Sequence, residues 1–413
     1  MTARLPDSSL ALLRQGYTFI SARCDEAGTD LFQTRLMLRP VVCIRGAAAA
    51  EFFYGGGRFS RTGALPRSVK HLLQDAGSVQ TLEGDAHHRR KQLFLDLGSR
   101  GSAERLADHF DAEWHDPDRG LPSGRRFNLH TEVRRILTAA ACRWAGLPTD
   151  PFTIRRRSTE LGLMIDQAGA FGPVNWYARW RRHSTEKWAA TAILTARLVA
   201  PDQTPATPVE AIAFHRDHAG KELPPDTAAV ELLNLLRPVV AVSNFIVFAG
   251  LALTQHPEWK NRLANGDDDD LHCFAQEVRR YYPFFPFVGG TATGDLEWSG
   301  HAFKPGDWVL LDLYGTNHDP RSWPNPESFD PARFRTWQPN PNTLIPQGAG
   351  DKETGHRCPG EDITVELIKR AIRTLADTPA LQVPAQDLSF NLSSMPALPK
   401  SGFILGPGHA GRR

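Results

Sequence analysis

The sequence carries almost no excess of charge: 48 lysines and arginines stand against 46 aspartates and glutamates in 413 residues, a formal net charge of +2. No global field follows that would gather nucleic acid or an anionic membrane, so neither partner is implied. Cysteine is scarce as well. Cys24, Cys43, Cys142, Cys273 and Cys358 are an odd number, scattered, with no close pair of the kind that holds zinc, which argues against a disulfide framework. A long unbroken apolar run is also missing. The nearest approach, Leu232 to Leu253, is interrupted by Arg237, Pro238, Ser243 and Asn244, and its pieces fall short of the roughly 20 residues a membrane span needs. It is expected to be a buried helix. Met1 to Gln15 shows no basic flank leading into a sustained apolar stretch, so no signal peptide is read there and a cytoplasmic location is expected.

What is present suits an enzyme-sized body: 41% of the residues are hydrophobic, with no long linker, enough for one large core. The chain reads as one domain over 1–413, mainly α with small β-sheets. An N-terminal part of roughly 1–65 is β-rich, a core of roughly 66–290 is helical, and roughly 291–413 form a C-terminal part. Strands are expected at Arg35 to Arg39 and Val41 to Arg45, and a helix at Ala47 to Phe53. Apolar spacing predicts helices around Asn128 to Ala145, Ile154 to Ile165, Thr185 to Leu198 and Thr227 to Thr254. Trp298-Ser299-Gly300-His301 reads as a turn between short strands, and Trp308 to Leu313 as a further strand. Pro320 to Pro346 holds seven prolines and little periodicity, so an extended meander is expected there. The acidic run Asp267 to Asp270 reads as a solvated loop that favours the start of the next helix through its dipole.

One cysteine stands where chemistry is expected. Gly348 to Gly360 is a glycine-rich loop ending in His356-Arg357-Cys358-Pro359-Gly360 and leading into a helix at about Glu361 to Leu375. A sulfur facing the first free N–H groups of a helix, beside Arg357 and His356, should have its thiolate favoured and its pKa lowered. Such a thiolate is a nucleophile or a soft metal ligand, and spacing alone does not separate the two.

Together with two earlier motifs, the loop resembles the cytochrome P-450 superfamily. Glu277-Val278-Arg279-Arg280 is similar to that family's Glu-x-x-Arg helix, and Phe329-Asp330-Pro331-Ala332-Arg333-Phe334 to its meander. The resemblance implies a P-450-type haem fold, haem b as cofactor, Cys358 as axial ligand of the iron, and a structural network of Glu277, Arg280 and Arg333. In one respect the loop departs from the pattern: Asp351 stands seven residues before the cysteine where a phenylalanine is usual, which counts against docking of a conventional electron-donor protein.

Arg237 lies in the most apolar helix, with Leu233, Asn234, Val240 and Ala241 as its neighbours three and four residues away, so no carboxylate on its own face can pair with it. An unpaired buried guanidinium costs several kcal/mol, so an anion must come from elsewhere. Arginine's planar fork suits a carboxylate, and Pro238 deprives the Asn234 carbonyl of its helical partner and should kink or open the helix. From this helix alone an interior ion pair accounts for Arg237 equally well.

The resemblance favours the ligand. Most of the superfamily carries an acid followed by threonine at this point, whereas Arg237-Pro238 is similar to the bacterial fatty-acid peroxygenases. It implies peroxide-driven hydroxylation of long-chain fatty acids at the α or β carbon, with minor decarboxylation to terminal alkenes and no reductase. The carboxylate held by Arg237 would serve as general acid-base, with Pro238 and Gln80 counted among the catalytic residues. Gln80 occupies a position where hydroxylating relatives often have glutamine. His87, Lys91 and His356 are implied at the cofactor, His87 and Lys91 through its propionates. Phe284, Phe287, Leu73 and Phe171 are expected to line the acyl pocket. Two rival functions remain: a monooxygenase fed by redox partners, and a haem sensor or carrier without oxidative chemistry.

Overall fold

The structure is a computed structural model, which describes residues 6–64, 72–73, 77–122, 124–170, 172–199, 205–264, 267–377 and 381–407. Its helices are α1 (Ser9–Gln15), α2 (Phe19–Ala27), α3 (Ala47–Tyr54), α4 (Gly84–Leu97), α5 (Arg100–Trp114), α6 (Leu129–Ala145), α7 (Pro151–Asp166), α8 (Pro173–Val199), α9 (Pro208–Ala213), α10 (Pro225–Gln255), α11 (Pro257–Ala264), α12 (Asp268–Tyr281), α13 (Tyr314–Asn317) and α14 (Glu361–Asp377). Local chemistry sets several boundaries. Asn128 caps α6 by accepting the Thr131 N–H, and Gly146, at φ 80°, ends it. Asp150 caps α7, with Pro151 in its first turn, and Thr207 and Glu210 form a capping box on α9.

α10 is the axis of the helical core. From Glu231 to Leu253 every residue on it is buried except Pro238. It packs against α6, α8 and α14, and each fully buried leucine or phenylalanine on it contributes roughly 1.5–3 kcal/mol. Among the described residues α10 is the one helix long and apolar enough to cross a membrane, yet 94% of its most apolar window is buried inside the protein. The interruptions at Arg237, Pro238, Ser243 and Asn244 thus belong to an interior helix, as expected.

The strands are β1 (Leu31–Leu36), β2 (Arg39–Ile44), β3 (Phe59–Ser60), β4 (Phe127–Asn128), β5 (Phe287–Ala292), β6 (Leu296–Trp298), β7 (His301–Phe303), β8 (Trp308–Asp312), β9 (Leu381–Gln382) and β10 (Ile404–Pro407). A five-stranded sheet runs β1-β2-β8-β5-β3, parallel only between β2 and β8, where Cys43 lies opposite Leu310. β4-β10-β9 and β6-β7 form two smaller sheets. The hairpin at Ser299-Gly300 is present, both residues at positive φ (51° and 73°), as a tight turn requires. A second such turn stands at Met37-Leu38, φ 51° and 64°. The expected strands at Arg35 to Arg39 and Val41 to Arg45 are therefore shifted, because neither methionine nor leucine advertises a left-handed turn.

The acidic run is corrected at one position, Asp270. Asp267 caps α12 through the Asp270 N–H, and Asp268 to Asp270 form its first turn. Asp270 is buried, paired with Arg262 at 2.5 Å and with Arg335 of the meander. Asp267 to Asp269 are exposed at the start of the helix, as expected, and Asp270 alone is an internal tie.

Candidate active site

The loop before α14 is pressed against α3. Gly348 and Gly350 have φ of 100° and 74°, and a Cβ on Gly350 would lie 2.7 Å from Tyr54 Cβ, so glycine is required there. Asp351 accepts the Glu353 and Thr354 N–H groups at 2.9 and 2.6 Å, which folds the loop's extra residues into a side-chain-stabilised turn. The Cys358 N–H donates to the Gln347 carbonyl at 3.2 Å, and Gln347 Nε2 lies 3.7 Å from Cys358 Sγ. Arg279 fixes that amide, donating to Gln347 Oε1 at 3.1 and 3.2 Å and to Glu361 at 2.9 Å. Gln347 carried no signal in the sequence, because its role depends on a loop that returns to its own start.

The expected lowering of the Cys358 pKa is not found. Burial pushes the thiol up and Glu361 adds to the effect, while the Gly360 N–H, Lys91 and Arg279 oppose it. The reason is orientation. Arg357 turns to Glu361 at 2.8 Å, and His356 lies 3.7 Å from Glu83 and packs at a tilt against His87 with ring centres 4.1 Å apart. Lys91 donates to the carbonyls of Gly355 at 2.8 Å and Arg357 at 2.5 Å, tying the loop to α4. His87 is buried, and burial followed by repulsion from His356 lowers its pKa to about 3, which keeps it neutral.

Behind the loop, Glu277 and Arg280 are wholly buried. Arg280 meets both Glu277 oxygens at 2.7 Å and donates to the carbonyls of Asn317 and Pro326 at 3.0 Å and Ser328 at 3.2 Å. Arg333 reaches Glu277 at 3.3 Å, and the Asp330 N–H donates to it at 2.8 Å. These contacts bind the meander to α12 and α13 as the motif reading expected.

Arg237 is buried in α10 and pairs with no carboxylate among the described residues. Nη1 donates to the Leu72 carbonyl at 3.2 Å, and Nη2 to the Leu73 carbonyl and to Asn234 Oδ1 at 3.0 Å. Its own helix thus supplies a partner after all: a side-chain amide at i−3 does what no carboxylate was available to do. Burial lowers the Arg237 pKa to about 9, Arg182 adding repulsion and Glu231 opposing it, so the group is charged at neutral pH but poorly compensated. Pro238 breaks the bond to the Asn234 carbonyl without ending the helix, and its exposure shows that this turn of α10 is not closed over by packed side chains.

The remaining candidates divide. Gln80 Oε1 accepts from Ser78 Oγ at 2.9 Å and from Asn234 Nδ2 at 3.2 Å, which joins it to Arg237 through Asn234. Leu73 meets Arg237 through its carbonyl. Phe284 stacks on Phe245 of α10 at 4.3 Å and is placed beside that helix. Phe287, expected with it, packs instead against the cluster around Phe19 and Trp308, because strand alternation turns it to the N-terminal side of the sheet. Phe171 lies outside the described residues.

The same architecture recurs in solved structures. A variant of cytochrome P450SP alpha (CYP152B1) is 40% identical, covers 98% of this chain and 100% of its own, and superposes with a TM-score of 0.92. This chain is a cytochrome P-450 of the CYP152 peroxygenase family. Cytochrome P450EX alpha (CYP152N1) with myristic acid, 36% identical over 98% and 99% of the two chains, and a variant of cytochrome P450 OleT with arachidonic acid, 33% identical over 98% of each, both reach a TM-score of 0.91. The cytochrome P-450 family pattern matches residues 271–371, which hold all three motifs. Rhazimal synthase of Alstonia scholaris (28% identical) and thromboxane-A synthase of Mus musculus (29%) match over 33% and 40% of this P-450 and only 30% and 34% of their own lengths, so the chain spans about a third of the curated relatives it matches.

The residues of this P-450 fit a haem iron. Cys358 offers one soft sulfur with N–H donors from Gln347 and Gly360 beside it, and the glycines of the loop let its backbone approach closely.

Proposed function

We propose that this cytochrome P-450 uses hydrogen peroxide to hydroxylate long-chain fatty acids at the α or β carbon, with minor decarboxylation to terminal alkenes and without a reductase. The observation that carries the reading is Arg237: a buried guanidinium held only by neutral acceptors among the described residues, next to Pro238, the one exposed residue between Glu231 and Leu253 of α10. Myristic and arachidonic acids occupy two of the similar structures. Haem b, ligated through Cys358, would supply the iron at which peroxide is activated.

The protein's own part is positional. Arg237 would take the substrate carboxylate in two charge-assisted bonds and hold its α and β carbons nearest the reacting centre. No titratable side chain other than those already engaged is offered by this turn of α10, so the carboxylate itself would carry the proton from one peroxide oxygen to the other. Phe284, against Phe245, would wall the acyl chain. His87 would meet a propionate, with the His356 ring packed at a tilt against it. A single domain and a cytoplasmic location complete the reading.

The test is direct. The purified haem-loaded protein should show the thiolate-type Soret band with ferrous iron and carbon monoxide, and should convert myristic acid to 2- or 3-hydroxy acid with peroxide alone. Product formation only with NADPH and a reductase would overturn the proposal.

A further inference from the structure

Glu231, Asn234 and Arg237 follow one another at three-residue spacing and so share a face of α10. Asn234, buried, joins the other two. Its Oδ1 accepts from Arg237 Nη2 at 3.0 Å, while its Nδ2 donates to Glu231 Oε2 at 3.0 Å and to Gln80 Oε1 at 3.2 Å. A guanidinium only donates and a carboxylate only accepts, so the amide has one workable orientation. Glu231 is answered elsewhere: Arg90 pairs with its Oε1, which also accepts the Val79 N–H at 2.9 Å. Asn234 therefore stands as a neutral spacer between a carboxylate whose charge is already met and a guanidinium whose charge is not.

We infer that Asn234 is a positioning residue that fixes the Arg237 guanidinium without neutralising it, keeping its charge for the substrate carboxylate. The inference rests on the proposed binding of a carboxylate by Arg237. The residue type follows from the two demands. Aspartate has the same shape and would also hold the guanidinium, but as a built-in counter-ion competing with substrate, and it too would deprive Glu231 Oε2 and Gln80 of the amide donor. Leucine fills the space but supplies no acceptor, and it leaves Glu231 Oε2 and Gln80 without the amide donor. An amide accepts on one side, donates on the other and carries no charge.

The test compares haem-loaded wild-type, Asn234→Asp and Asn234→Leu proteins, each checked for its ferrous-carbon monoxide spectrum, by calorimetric binding of myristic acid and by peroxide-driven kinetics. An internal counter-ion should weaken myristic acid binding about 30-fold or more in Asn234→Asp, seen in KM more than in kcat, against about 5-fold in Asn234→Leu. A packing role predicts the reverse order, since aspartate preserves the shape. Aspartate binding as well as or better than leucine would overturn the inference. If Asn234→Asp fails to take up haem, Asn234→Ser against Asn234→Leu decides: serine, which keeps an uncharged oxygen, should bind myristic acid more tightly, and the opposite order overturns the inference. Myristic acid methyl ester separates this from failure of the underlying reading. Wild-type protein that binds ester and acid equally well refutes carboxylate binding itself, whatever the variants do.

Discussion

Asp312 closes β8 with its carboxylate buried, accepting the Gly315 N–H at 2.7 Å. Burial, against that bond and the attraction of Arg45, pushes its pKa up to about 7. An unfolded aspartate titrates near 3.9, so the folded protein binds this proton more tightly. The contribution to stability is full below about pH 4 and is lost as pH rises towards 7. The side-chain amide introduced by Asp312→Asn can still accept from Gly315 and has no proton to lose. The variant should therefore gain stability over wild type between pH 5 and pH 8, on the order of 3 kcal/mol at most, read from melting temperatures at the two values. An unchanged difference would contradict the assignment. Nothing in Leu311-Asp312-Leu313 signals this, since burial belongs to the sheet and not to the tripeptide. Cys358 teaches the same lesson: its place before a helix was legible, but the directions taken by Arg357 and His356 were not.

α12 and the meander show where sequence reading works. Glu277 and Arg280 sit one turn apart and Arg333 follows in the meander motif, so their meeting was implied by the family resemblance that these motifs carry together. Glu277→Gln would leave the buried Arg280 guanidinium and the partly buried Arg333 sharing a neutral partner, at a cost of about 3–5 kcal/mol. Chemical denaturation should show that loss together with weaker haem retention, and a variant as stable as wild type would remove the triad from the account of the fold. α10 was legible as a buried interrupted helix, because its apolar content needs no partner to be recognised. The partners of Arg237 were not, since two are backbone carbonyls from residues more than 160 positions away and the third is an amide that sequence gives no reason to prefer. The protein partners of Lys91 were hidden for a related cause. Its spacing from His87 was correct, but the carbonyls of the cysteine loop, more than 260 residues on, were closer partners than spacing could reveal.

For the molecule as a whole, 40% identity to a variant of cytochrome P450SP alpha over 98% of the chain, with a TM-score of 0.92, places the fold in a known arrangement, while the proposed activity would depend on one cation in one helix. Mainly α architecture with small sheets was legible from periodicity, turn residues and the meander; the hairpin at Met37-Leu38 and the network from Arg90 to Arg237 were not, because both are fixed by tertiary packing. The proposed peroxide-driven turnover without a reductase rests on the likeness to the CYP152 structures, and the proposed substrate anchor on Arg237. The most direct measurement is therefore peroxide-driven oxidation of myristic acid by Arg237→Ala, loaded with haem and checked by its ferrous-carbon monoxide spectrum. Loss of a charge-assisted carboxylate pair should lower kcat/KM by roughly 100-fold or more, with partial recovery for a non-carboxylate substrate supplied together with a short carboxylic acid. Wild-type rates and regiochemistry in Arg237→Ala would contradict the account.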